Sequence, residues 1–281
     1  MLIERMAGSD RFRCVLIKRG DNAMTQKTPM VMIHGMWSRG NCWAHLRAHF
    51  ESLGHRVLTP TLPFHDVPAA SPPPSRLGSA SLNDYTDALE AEIKAFDHDA
   101  IIIGHSMGGL LAQKIAARGL GSRLICLAPA PSAGMNPFLL GPLKSFYKTT
   151  LRPGFWNKPH KPDWETARWS VFNGPVPEAE ARRVYEDYVW ESGRALFELA
   201  LWIFDGEQAA SVNRDRIRMP VLVAVGAEDR ITPKEWARSA VRKFEGRARY
   251  AEFPKLGHWL IGETTAPLIA RRIERFLETD L

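Results

Sequence analysis

Ser106 stands in Gly104-His105-Ser106-Met107-Gly108, between the apolar run Ala100–Ile103 and a helical pattern carried by Leu110, Leu111 and Ile115. A serine at a turn from strand into helix is held in a strained conformation with its oxygen outward. The residues two before and two after must be small, because chain and helix crowd together there. The first turn of the following helix presents free N–H groups and a positive dipole end, which stabilise negative charge beside the hydroxyl. These are the conditions of a nucleophile, and a serine nucleophile needs a base. Of the nine histidines, His258 in LGHWL follows the last apolar strand pattern and is the candidate base. Asp229, in GAEDR after the VLVAV run, is the candidate to orient the imidazole and stabilise its charged form. Glu228 is the neighbouring alternative, and Asp205 and Glu207 are weaker ones. In the order Ser106, Asp229, His258, each residue falls just after a different strand. The carboxyl ends of the strands are where an open α/β sheet gathers its ligands.

Acyl transfer also needs N–H donors for the oxyanion. The backbone of Met107 supplies one. The loop after the strand MVMIHG supplies the other, with Met36 the first choice and Trp37 the second. Gly35 suits a tight turn there, His34 braces the loop by hydrogen bonding, and His105 points away from the cleft in a structural role. Trp37, Trp259 and His65 are the expected substrate contacts. The expected reaction is hydrolysis of a carboxylic ester, with a thioester or C–C bond as the alternative, and a ligand-binding protein without turnover is the alternative from another class.

Residues this far apart in sequence meet only if a sheet brings them together. MVMIHG (from Met30), RVLTP (from Arg56), AIIIGHS (from Ala100), RLICLAP (from Arg123), VLVAVG (from Val221) and RYAEF (from Arg249) read as strands. Runs apolar on both faces are what a parallel sheet requires. They alternate with helical stripes: Trp43, Leu46, Phe50 and Leu53; then Leu82, Tyr85, Leu89, Ile93 and Phe96, opened by a Ser81/Asp84 capping box; and finally Ile269, Ile273, Phe276 and Leu277. Thr232, Pro233 and Glu235 read as an N-cap, a first-turn proline and a capping acid. Residues 66–80, rich in Pro, Ser and Ala, read as a loop.

Residues 134–208 hold helical patterns, no strong strand, and five of the nine tryptophans: Trp156, Trp164, Trp169, Trp190 and Trp202. They are expected to form a helical cap over a core made of 1–133 and 209–281. Phe138, Phe146, Phe155 and Phe172 in this cap point to an apolar acyl or aromatic substrate, or else form the cap's own small core. With nine Lys/Arg against ten Asp/Glu, the cap offers no basic rim for a strongly anionic substrate such as a CoA thioester.

The chain of 281 residues is 45% hydrophobic and 24% charged, which is ordinary for a globular protein and excludes disorder as its dominant state. It is long enough to bury a core without a staple. The three cysteines, Cys14, Cys42 and Cys126, cannot all pair and lack metal-ligand spacing, so neither a disulfide framework nor a metal is expected. The net charge of +6 is spread among acids with no basic block, so nucleic acid is not an expected partner. No apolar run has the length of a signal peptide or a membrane span, and a cytoplasmic location follows as the expectation.

HGMW, GHSMG, GAEDRITP and LGHWL, in this order, resemble the α/β-hydrolase superfamily, and more narrowly its small capped serine esterases and lipase-like hydrolases. The resemblance covers nearly the whole chain. It implies an α/β fold with a mostly parallel eight-stranded sheet flanked by helices and a cap inserted after the sixth strand. It further implies Ser106 as nucleophile, Asp229 as acid, His258 as base, the Met36 and Met107 amides as oxyanion donors, and no metal or organic cofactor. The partner would be a small-molecule ester, and the protein a monomer or homodimer. A serine nucleophile sets the chain apart from the dehalogenase and epoxide-hydrolase branches. The loop LPFHDVP departs from the D-x-x-G-x-G pattern usual in capped relatives, so substrate analogies drawn from that loop do not transfer.

Overall fold

Apolar runs that carry no polar face have to be covered on both sides, and in this chain they pair edge to edge into one parallel sheet. The computed structural model describes residues 27–135 and 140–279. The strands are β1 (Lys27–Ile33), β2 (His55–Leu58), β3 (Ile101–His105), β4 (Arg123–Leu127), β5 (Val221–Gly226) and β6 (Ala248–Phe253). Their order is β2-β1-β3-β4-β5-β6, and every pairing is parallel. β3 and β5 are buried along their whole length, while the edge strand β6 is mostly half-buried. Six strands therefore lie among the described residues, where the resemblance implied eight. Residues 1–26, with Cys14, lie outside the described residues, as does Phe138.

The helices before β5 are α1 (Ala44–Ser52), α2 (Leu82–Phe96), α3 (Met107–Ala117), α4 (Leu140–Thr150), α5 (Trp164–Ser170), α6 (Glu178–Glu186) and α7 (Gly193–Ala200); α8 (Lys234–Arg242) and α9 (Ala266–Leu277) follow it. α2 begins at the predicted capping box, with Ser81 Oγ accepting the Asp84 N–H and Asp84 accepting the Ser81 N–H. α1 packs against α9 and α2 against α3, while α3 lies on β3 and β4 and α8 on β5 and β6. Helices α4 to α7 fill the stretch between β4 and β5, after the fourth of the strands among the described residues. No helix among the described residues is long and apolar enough to cross a membrane.

The order of the strands fixes where a ligand can sit. From β1 the chain moves out to β2, then returns to the other side of β1 at β3. The loops leaving β1 and β3 therefore diverge and open a crevice at the carboxyl edge of the sheet. Gly35 to Trp37 leave β1 there, and Ser106 leaves β3.

Candidate active site

Ser106 has φ 56° and ψ −123°, a conformation that an L-residue adopts only when its surroundings impose it. Three backbone bonds impose it: Ser106 N–H donates to Leu127 O at 3.0 Å, and Ser106 O accepts from Gly109 and Ala130, both at 2.9 Å. The flanking glycines are required by space. A Cβ on Gly104 would lie 2.1 Å from Gly108 O, and one on Gly108 would lie 2.2 Å from Ile33 O. This packing pushes the first turn of α3 against β1 and leaves the Ser106 side chain at the rim. Met107 is the first residue of α3, and the amides of a first turn have no acceptor within the helix.

His258 Nε2 lies 3.0 Å from Ser106 Oγ, and His258 Nδ1 lies 2.8 Å from Asp229 Oδ2. The carboxylate accepts the Nδ1 proton, which leaves Nε2 as a lone pair facing the serine hydroxyl. Both the imidazole and the carboxylate are buried. Asp229 Oδ1 accepts the Ile231 and Thr232 N–H groups, each at 2.8 Å, so its plane is fixed before any substrate arrives. The Thr232 hydroxyl lies 2.8 Å from Asp229 Oδ2, 2.9 Å from Ala128 O and 3.2 Å from His258 Nδ1. This placement corrects the sequence reading of Thr232 as a helix cap. Helix α8 begins at Lys234 with Pro233 in the cap position and no side-chain cap bond, and the threonine instead joins the carboxylate and the imidazole. Glu228, the neighbouring acid, is exposed, and its carbonyl accepts from Asn173 Nδ2. Asp205 is buried elsewhere with Arg194, and Glu207 is exposed.

Two further histidines hold this geometry from behind. His105 Nε2 donates to His258 O at 2.9 Å. Burial, with the neighbouring His258 adding to it, drops the His105 imidazole to about 3, so it serves as a neutral brace. His34 Nε2 accepts the Leu62 N–H at 3.0 Å and its Nδ1 donates to Gly35 O at 2.8 Å, with burial again lowering its pKa to about 3. It joins the loop after β1 to the loop after β2. A Cβ on Gly35 would come within 2.8 Å of the Ser106 Cβ, so glycine lets the Met36 loop close over the serine. Trp37 takes a left-handed φ of 63°, and its carbonyl accepts the Val189 N–H at 2.8 Å. The loop after β1 is thereby tied to the helices between β4 and β5.

His65, expected to touch substrate, lies elsewhere. Its side chain is fully buried, with Nε2 3.1 Å from Glu191 Oε2. Glu191 also accepts the Tyr85 hydroxyl at 2.8 Å and the Ser192 N–H at 2.7 Å. Burial disfavours a charge on either partner, but their mutual attraction outweighs it, so the His65 pKa is raised and that of Glu191 is lowered. The pair pins the inserted helices to α2 and to the loop after β2. Nothing in the sequence pointed to Glu191, whose partner is 126 residues away.

Ser106 lies on the shared wall of two cavities. One, of about 190 Å³, is lined by Met36, Met107, Pro142, Leu143, Phe146, Phe155, Leu196, Leu199, Ile231 and Trp236 among others, and none of its lining side chains among the described residues is ionisable. The other, of about 20 Å³, is lined by His258, Trp37, Val171, Tyr188 and Trp259 among others. Trp37 and Trp259 thus border the site, as do Phe146 and Phe155. No cluster of metal-ligating side chains occurs among the described residues.

A sheet of this order, with a strained serine leaving β3 and a buried His–Asp pair beside it, defines a class. The sequence profile of the alpha/beta hydrolase family matches residues 30–271, and the chain belongs to that family. A carbendazim hydrolyzing esterase from Nocardioides sp. is 34% identical over 88 residues, covering 31% of this chain and 35% of that protein. A pimeloyl-(acyl-carrier protein) methyl ester esterase from Aromatoleum aromaticum is 33% identical over 112 residues, 38% of this chain and 40% of that protein. The chain thus matches only about a third to two fifths of the length of these curated relatives. Among solved structures, a pyrethroid hydrolase from Sphingobium faniae superposes with a TM-score of 0.64 at 19% identity, covering 90% of this chain and 98% of that one. A methylesterase from Arabidopsis superposes with a TM-score of 0.66 at 15% identity, over 90% and 100% of the two chains. These two likenesses speak to the fold.

Proposed function

We propose that the protein is a serine hydrolase of carboxylic esters that works through an acyl-enzyme on Ser106. The observation that carries this reading is the continuous relay from Ser106 Oγ through His258 to Asp229, at 3.0 and 2.8 Å, opening onto an apolar cavity. Ser106 Oγ attacks the ester carbonyl as its proton passes to His258 Nε2. The Met36 and Met107 amides receive the oxyanion, and such a donor is typically worth about 10²–10³ in rate. The imidazolium, held by Asp229, gives its proton to the departing alkoxide as the C–O bond breaks. Water then gives a proton to Nε2 and cleaves the acyl-enzyme, restoring Ser106. No metal or cofactor enters these steps.

In this reading residues 134–208 act as a lid over a core of 1–133 and 209–281, and supply the wall that keeps the acyl group out of water. The apolar lining supports an apolar acyl or aromatic ester as substrate, and the esterases among the curated relatives are in keeping with the bond class. The test is an activity screen over esters, thioesters and β-diketones, with Ser106→Ala as the blank. Ester turnover that vanishes in that variant, while its unfolding midpoint stays within a few degrees, is the expected result. Full residual turnover would refute the assignment.

A further inference from the structure

The two cavities that meet at Ser106 differ about tenfold in volume, near 190 and 20 Å³. Which half of an ester enters which cavity follows from the proton relay, so the inference rests on the reading of Ser106 and His258 given above. His258 Nε2 must deliver its proton to the leaving oxygen, and that oxygen therefore lies on the His258 side. Only the small cavity is lined by His258. The large one is lined by Ser106, Met36 and Met107 without His258, which suits the acyl group of the same tetrahedral centre.

The small cavity has little room to grow. Trp37 faces Tyr188 with ring centroids 6.0 Å apart, Tyr188 stacks on Phe172 at 5.8 Å, Phe172 meets Trp259 edge-on at 5.7 Å, and Trp259 meets His105 edge-on at 5.7 Å. This chain of buried rings curves around the leaving-group side, and Val171 O accepts the Trp259 N–H at 3.2 Å behind it. A space of about 20 Å³ is close to what a single water requires. The acyl side exceeds the roughly 150 Å³ of an apolar cavity known to admit benzene.

We propose that the protein is selective for esters of very small alcohols, methyl above all, whose acyl group is apolar, uncharged and about the size of a hexanoyl or benzoyl group. Trp37, Val171, Tyr188 and Trp259 set the limit on the alcohol. Among the described residues no ionisable side chain lines the acyl cavity, which disfavours a second carboxylate at the far end of the chain, because none of them would compensate its desolvation.

Isomeric esters test this directly. Acid release from methyl hexanoate and from pentyl acetate, which share one molecular formula, is followed by pH-stat. The expected kcat/KM is at least about tenfold higher for methyl hexanoate, since forcing methylenes into a packed wall costs that much or more. Along the methyl esters from acetate to hexanoate, kcat/KM should rise about fourfold per methylene. Monomethyl adipate should fall well below methyl hexanoate. Val171→Ala should narrow the gap between methyl and butyl hexanoate. Equal rates for the two isomers, or a preference for pentyl acetate, would overturn the proposal and leave the esterase reading standing. No release from any ester above the Ser106→Ala blank would overturn both.

Discussion

At the scale of single residues, the serine, imidazole and carboxylate are each held by bonds that predate the substrate. Asp229 is aimed by two backbone amides and one hydroxyl before it meets His258. Its replacement by Asn therefore changes chemistry more than shape: the amide can donate to Nδ1 and favour the tautomer with its proton facing Ser106. Asp229→Asn is expected to lower kcat about 10⁴-fold. Thr232→Val removes one hydroxyl from the same carboxylate, and a loss of about tenfold in kcat with little change in KM is expected. Steady-state kinetics on one ester checks both. An Asn variant that keeps full activity would remove the carboxylate from the account. The three residues that the structure brings together were legible in the sequence because each stands at a strand end in a short, characteristic setting. Thr232 was not, because its hydroxyl acts across a turn on groups from two other segments, and the same threonine reads equally well as a helix cap.

At the scale of elements, the site is the product of a close approach. Gly108 brings the start of α3 against the backbone of β1, where an added methyl would stand 2.2 Å from Ile33 O and 2.4 Å from His34 O. Gly108→Ala should cost about 1–3 kcal/mol, because backbone and not a flexible side chain must give way. Urea denaturation measures it, and an unchanged midpoint would contradict the tight packing of α3 on β1. Strands and amphipathic helices were readable in the sequence from their periodicity, and the α2 capping box falls at the predicted residues. The eight-strand count came from resemblance, and the described residues hold six. His65 was misplaced for a definable reason: a histidine after a strand looks like a rim residue until its partner is known. That partner, Glu191, lies in the inserted helices, and no local pattern links the two.

At the scale of the whole molecule, buried imidazoles tie stability to pH. Burial lowers His34 and His105 to about 3 and His160 to about 4, so all three stay neutral in the native state at mildly acidic pH. In the unfolded chain each takes up a proton near the ordinary value of 6.5. Below that value the unfolded state therefore binds more protons, and stability falls as pH drops. The three together should remove about 5 kcal/mol between pH 7 and pH 5. His65 works in the opposite sense. Its raised pKa contributes stability that is complete below 6.5 and is lost as pH rises through the native value. Unfolding free energies at pH 5, 6, 7 and 8 check this, and a flat profile from 7 to 5 would show that these histidines are not locked neutral. Of these groups His160 lies in the inserted segment, where its Nδ1 accepts the Trp37 indole N–H, so acid is expected to loosen that contact along with the core.

The proposed chemistry rests on Ser106 as a nucleophile made reactive by His258. The most direct measurement is intact-mass spectrometry after a fluorophosphonate probe, followed by peptide mapping. One adduct per chain is expected, located on Ser106, and it should be lost in both Ser106→Ala and His258→Ala. An unlabelled native protein, or an adduct on another residue that persists in those variants, would contradict it.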